Sequence, residues 1–155
     1  MGLGEVTKEK VSNWTNLLKQ IHPLIILRSG GIGGIRDEGG LYNSVYRVLT
    51  FLQKHPGHSY LIAAYIYKEF ATRHHFMDGN KRTAHLFVRI FLISRNLQLK
   101  VQYKEAAQFI ISIAYEKKSL KEIEAWVRRH THPFPNKAKL HHFSNMMNDF
   151  TAKEE

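Results

Sequence analysis

The stretch from Thr83 to Ile93, Thr-Ala-His-Leu-Phe-Val-Arg-Ile-Phe-Leu-Ile, constrains this chain more than any other. It is apolar at nearly every position, too continuous for a helix with one wet face, so it predicts a helix through the protein's centre. Directly in front of it stands the polar run His74-His75-Phe76-Met77-Asp78-Gly79-Asn80-Lys81-Arg82. A helix leaves its first four backbone N–H groups without intrahelical partners, and its aligned peptide dipoles place roughly half a positive charge there. The mouth of the central helix is therefore an anion site, to which Lys81 and Arg82 add two cations. Gly79 supplies a tight turn, and Asn80 is a candidate cap.

The remaining elements follow from apolar spacing. Thr7 reads as an N-cap, and Val11, Trp14, Leu17, Leu18 and Ile21 keep a helical stripe until Pro23, which is expected to disturb it. Six glycines between Ser29 and Gly40 read as a mobile loop, with a plain linker as the alternative. Leu41, Val45, Val48, Leu49 and Leu52 mark a second helix ending near His55-Pro56-Gly57. A third runs from Ser59 to about Arg73 and is apolar on most sides. The central helix breaks near Asn96, and a fifth helix over about Lys104 to Lys118 buries Ala106, Phe109, Ile110 and Ile113. Ser119-Leu120-Lys121-Glu122 is a capping box that opens a sixth, burying Leu120, Ile123 and Val127. Only Gln98 to Gln102 reads as a short strand. The expected fold class is all-α, six helices without internal repeat, in one domain over 1–130.

Beyond it, 131–155 form an extension in which Pro133 and Pro135 break any helix. There Leu140, Phe143, Met147 and Phe150 recur at roughly helical spacing. They suit a tail packed on its own domain, or an amphipathic helix docking on a partner. His130, His132, His141 and His142 read as a solvated tail rather than a metal site, since no cysteine and no helical His-x-x-x-His accompanies them.

Composition narrows the function classes. A chain of 155 residues makes one domain with a real core, and the absence of cysteine excludes disulfides and thiolate metal sites. No apolar run reaches the length of a membrane span, and the N-terminus carries neither a basic n-region nor an apolar h-region. Cytoplasmic is the default expectation. The net charge of +10 is unevenly placed: between Gly40 and Leu99, Arg47, Lys54, Lys68, Arg73, Lys81, Arg82, Arg89 and Arg95 face only Glu69 and Asp78. That excess surrounds the polar run, as a polyphosphate site would want, rather than forming a basic arm. No helix-turn-helix, zinc-finger or aromatic-interleaved RNA signature speaks for nucleic acid.

The pattern His-x-Phe-x-Asp-Gly-Asn-Lys-Arg, from His74 to Arg82, resembles the signature of the Fic/Doc superfamily, and its Asn-Lys-Arg ending resembles the death-on-curing (Doc) toxins. Gly34-Ile35-Arg36-Asp37-Glu38-Gly39-Gly40-Leu41 resembles the Gly-Val-Arg-Asp-x-Gly-Leu stretch that these toxins carry upstream, at the right spacing. The likeness covers roughly 5–130. A histidine at a helix end is by itself a structural residue as easily as a base; the resemblance implies that His74 is the general base, and imidazole titrates near ~6.5. Asp78, otherwise a turn residue, is implied as the ligand of a Mg²⁺ bridging two phosphates. Gly79, Asn80, Lys81 and Arg82 are then the phosphate cradle of an ATP site, with Arg82 as a bidentate clamp and Phe76 in support. Arg36 and Asp37 are implied as part of the flap that borders the active site and receives the target segment.

Two positions depart from the adenylylating Fic pattern. Those proteins have glycine where Lys81 stands, leaving room for the nucleotide's α-phosphate, and in Doc-type members the lysine goes with a reversed nucleotide whose γ-phosphate is transferred. His85 stands where Fic enzymes carry a second arginine. One turn from both Arg82 and Arg89, it reads either as a phosphate contact in a basic stripe or as a paired core histidine. The resemblance thus implies a toxin of a toxin–antitoxin pair that moves the γ-phosphoryl group of ATP to a hydroxyl on a protein, in the family a threonine of a translation elongation factor. Transfer of a nucleoside monophosphate is the alternative enzyme. A non-catalytic binding module is the alternative from another class, disfavoured by the intact His74, Asp78, Asn80, Lys81 and Arg82. Fic proteins restrained in cis carry a Ser/Thr-x-x-x-Glu-Gly/Asn helix, which this sequence lacks; restraint is expected in trans, from an antitoxin.

Overall fold

A computed structural model describes residues 5–134. Six helices follow one another: α1 (Lys8–Ser29), α2 (Glu38–Lys54), α3 (Ser59–Thr72), α4 (Asn80–Ser94), α5 (Tyr103–Tyr115) and α6 (Leu120–His130). Two three-residue strands, β1 (Leu97–Leu99) and β2 (Thr131–Pro133), pair antiparallel with Gln98 opposite His132. The all-α class expected from the apolar spacing is the class observed.

The centre is built as the sequence demands. Every residue of α4 from Thr83 to Arg89 is buried, as are Phe91, Leu92 and Ile93. Its neighbour α3 is almost as dry, with Ile62, Ala63, Ala64, Ile66, Tyr67, Phe70 and Ala71 inside. These two helices pack on each other, and α6 covers α3 with Ile123, Trp126 and Val127. Each fully buried aliphatic side chain contributes about 1.5–3 kcal/mol over its exposed state, so the mouth of α4 is anchored by the best-packed part of the molecule. Thr7 caps α1 by accepting from the Lys10 N–H, and Ser119 caps α6 by accepting from Glu122, both as their sequence signals predict.

Two expectations are corrected. Pro23, expected to disturb the first helix, does not interrupt it: α1 continues through it to Ser29. The proline sits on the exposed side, where solvent can serve the carbonyl its missing N–H leaves unbonded, while Ile21, His22 and Ile25 hold the helix on the buried side. The glycine-rich stretch is shorter as a loop than its composition suggests, because α2 begins at Glu38 and takes Gly39 and Gly40 into its first turn. Just past residue 130 the described chain stays on the helical part: β2 lies against β1, and Phe134 packs on the cluster of Ile21, Ile25, Leu86 and Ile93. The stripe from Leu140 to Phe150 and His141 and His142 lie outside the described residues.

Candidate active site at the mouth of the central helix

Gly79 adopts the left-handed conformation, φ 74°, and is the N-cap of α4 without any side-chain cap. A Cβ there would meet Ile26 Cδ1 at 3.2 Å and His22 Nε2 at 3.5 Å, so it is the left-handed backbone, more than the space, that calls for glycine. Asn80 is the first helical residue, not the cap. Its side chain folds back on Phe76, with Oδ1 accepting the Phe76 N–H at 3.0 Å and Nδ2 donating to the Phe76 carbonyl at 3.0 Å. That two-bond ring closes the loop and occupies the amide that had been assigned to the cradle. The Gly79 N–H is taken as well, by Asp78 Oδ1 at 2.8 Å. The open donors of the first turn are therefore the backbone groups of Asn80, Lys81 and Arg82.

The flap is stitched to this loop as a short antiparallel bridge between Ile35 and Phe76. The Arg36 and Asp37 N–H groups donate to the His75 carbonyl at 2.7 and 3.1 Å, and Met77 N–H donates to Gly34 O at 3.0 Å. The flap thus borders the loop as expected, but Asp37 has a task of its own: its Oδ1 caps α2 by accepting from Gly40 N–H at 2.8 Å. Arg36 is exposed beside it.

Around the mouth stand the charged groups. Asp78 is half-exposed, and its carboxyl is held below its usual range, first by the Gly79 N–H and then by the Ile32 N–H and the Arg82 and Lys81 cations. Arg82 reaches Asp78 Oδ1 at 3.8 Å, while Nη1 donates to the Ser29 hydroxyl and, at 2.9 Å, to the Gly30 carbonyl. The guanidinium thereby ties the end of α1 to the motif. Gly31, at φ 115°, sits against the same carboxylate, where a Cβ would come within 2.7 Å of Asp78 Oδ2. Lys81 and His74 are exposed on the same loop-to-helix segment.

His85 does not join them. It is 1% exposed, with Nδ1 2.7 Å from the Tyr67 hydroxyl and Tyr103 edge-on to its ring. Burial, with Arg89 adding to it, pushes its pKa down to about 3, so it is neutral. Its place as a cofactor contact is corrected accordingly: no basic stripe runs from Arg82 through His85, because position 85 faces the α3 side of the buried helix.

Two sets of residues that hold this site escaped the sequence reading. His22 of α1 donates Nε2–H to the Asp78 carbonyl at 2.6 Å and stacks on Phe76 with ring centres 4.0 Å apart. A histidine inside the apolar stripe between Ile21 and Ile25 was the available signal. Beneath the loop, Ser44, Arg47, Glu69, Arg73 and His75 form a network from α2 and α3. Burial is the main cause that lowers the His75 pKa, keeping that imidazole neutral at pH 7. The signal there was Glu69, a lone acid on an otherwise apolar helix.

The fold is a helical domain whose most buried helix opens onto a loop carrying an exposed histidine, an ionised carboxylate and two cations. The Fic/DOC family model matches residues 13–92, more than half of the chain, from within α1 into the last turn of α4 and including the whole loop; the chain belongs to the Fic/DOC family. That family is in general one of transferases, which typically use ATP with Mg²⁺. No curated protein matches the chain. Among the described residues, no helix is long and apolar enough to cross a membrane.

Proposed function

We propose that this protein is a Doc-type toxin that transfers the γ-phosphoryl group of ATP to a hydroxyl side chain of a protein target. The observation that carries the reading is the pair of side chains at positions 81 and 85. Lys81 stands exposed where an adenylylating site needs the space of glycine, and His85, in the place of the second arginine, is withdrawn into the core and neutral. A site without that second cation, and with a lysine in the α-phosphate's room, favours the reversed nucleotide pose. His74 would take the proton of the attacking hydroxyl as its oxygen forms a bond to the γ-phosphorus and the bond to the β,γ-bridging oxygen breaks, releasing ADP. Lys81, Arg82 and the first-turn N–H groups of α4 would meet the charge that develops on the phosphoryl oxygens.

Asp78 fits a Mg²⁺ carried by the nucleotide. It is a single ionised carboxylate, and among the described residues no three His, Cys, Asp or Glu side chains gather into an all-protein site, which suits a cation that takes most of its ligands from phosphates and water. When bound, the ion would neutralise phosphate charge beside Lys81 and Arg82. Restraint would come from an antitoxin in trans, and the target by resemblance is a translation elongation factor.

The deciding experiment incubates the protein with Mg²⁺, a bacterial lysate and ATP labelled at either the α or the γ position. Label reaching protein from the γ position alone is expected. Label from the α position would move the assignment to nucleotidylyl transfer.

A further inference from the structure

Both residues that flank His74 are tied to one buried oxygen atom. Arg73 Nε lies 2.9 Å from Glu69 Oε1, and His75 reaches the same atom through Ser44, whose Oγ is 2.6 Å from His75 Nε2 and 2.8 Å from Glu69 Oε1. A hydroxyl has one proton, so Ser44, donating to Glu69, accepts from His75 Nε2–H and from Arg47 Nη2 at 3.2 Å. Arg47 closes the cluster on Oε1, with Nε at 2.7 Å and Nη2 at 2.6 Å. Ser44, Glu69 and His75 are all buried. A serine between a carboxylate and an imidazole suggests a nucleophile, but here its proton points at the carboxylate and no substrate reaches it.

The backbone of the same segment is fixed from the other side. His75 O accepts the N–H groups of Arg36 and Asp37, so His75 is fastened to the flap by its carbonyl and to the core by its ring. His74, between two anchored neighbours, is exposed. The position of an exposed side chain on a loop is set by its backbone, and here that backbone is held at both flanks by Glu69.

We infer that Glu69 is a positioning residue for the transfer reaction: through Arg73 on one flank and Ser44–His75 on the other, it fixes the place from which His74 meets the attacking hydroxyl. The inference rests on the reading of His74 as the base. A displacement of about 1 Å at a reacting group costs up to ~10²-fold in rate.

Measuring label transfer from ATP to lysate protein, at fixed lysate and varied ATP, separates the maximal rate from the apparent KM for ATP. Arg73→Gln and Ser44→Ala each release one flank and should lower the maximal rate ~10-fold with the apparent KM for ATP within about twofold of wild type. Glu69→Ala releases both and should lower the rate ~10²-fold, while Glu69→Gln, which keeps an acceptor oxygen at the meeting point, should recover part of it. Arg73 is half-exposed, so Arg73→Gln keeps the fold, and the ring resonances of His74 should broaden in it. Wild-type maximal rates in folded Arg73→Gln and Ser44→Ala, beside an inactive His74→Ala, would overturn the inference and leave the base assignment standing. A rise in apparent KM alone, or a rate loss no larger than the loss of folded protein, would overturn it too. Undiminished transfer by His74→Ala would overturn both.

Discussion

The hydroxyl of Tyr67 lies 2.7 Å from Nδ1 of His85, and the pair sits in the core rather than at the anion site one turn away. Burial raises the Tyr67 pKa far above its ordinary value, so the phenol keeps its proton and shares one hydrogen bond with a neutral imidazole. A histidine whose folded pKa is about 3, against ~6.5 unfolded, makes stability depend on pH in a definite sense. Between those values the unfolded chain binds the proton and the folded chain does not, so stability is full above ~6.5 and is lost as pH falls toward 3. Denaturant titrations should show about 2 kcal/mol less stability at pH 5 than at pH 7 from His85 alone. His75, shifted in the same direction by burial, adds to this. A His85→Gln variant, able to bond Tyr67 without titrating, should have a flatter profile; an unchanged slope would place the acid sensitivity elsewhere.

Asn80 is expected to matter for the loop more than for the nucleotide. Its amide makes both hydrogen bonds to the Phe76 backbone, and Asn80→Ala removes two bonds at ~1 kcal/mol each and leaves the Phe76 N–H partly buried without its partner. Thermal unfolding should show a loss of about 2 kcal/mol, with faster amide exchange from His75 to Gly79. If Asn80→Ala keeps wild-type stability and instead weakens ATP binding alone, the side chain belongs to the cradle after all.

His74 gives the opposite signature. It is exposed, so His74→Ala should leave the unfolding midpoint unchanged while lowering label transfer by at least ~10²-fold, the contribution of a positioned general base. Full transfer by a folded His74→Ala protein would remove it from the chemistry.

The contrast between these residues shows what a linear pattern carries. The six helices were readable because burial is periodic: the stripe of α1, the dry α3 and α4, and the caps at Thr7 and Ser119 are local properties of neighbouring side chains. The loop's membership was readable from its motif. What a side chain does across space was not. Asn80 looked like a cap and is a loop brace, and His85, readable as a stripe cation or as a paired core histidine, is the latter because the helix turns it inward. Glu69 stood in the sequence only as one of two acids among eight cations, yet it meets Ser44 of α2, 25 residues away, because α2 and α3 pack together. Pro23 does not interrupt α1 because tertiary burial on the other side of the helix outweighs one lost hydrogen bond.

Lys81 separates the two enzyme readings. Volume and charge at that position would act together on the proposed reading: the exposed side chain would take the space an α-phosphate needs, and its ammonium, close enough to Asp78 to lower that carboxyl's pKa, would meet the phosphoryl charge. Lys81→Gly removes both. Loss of a preorganised cation at the developing phosphoryl charge typically costs ~10²–10³-fold, so γ-label transfer should fall by that much. The vacated space removes the obstacle to the other nucleotide pose, and some α-label transfer should appear. It should stay weak, because His85, neutral and bonded to Tyr67, cannot supply the charge of the second arginine that Fic enzymes place there. Parallel assays with α- and γ-labelled ATP on Lys81→Gly and wild type read both changes at once. Unchanged γ-transfer in the glycine variant would mean that Lys81 neither excludes the α-pose nor stabilises the phosphoryl group, and the case for phosphoryl over nucleotidylyl transfer would then fall.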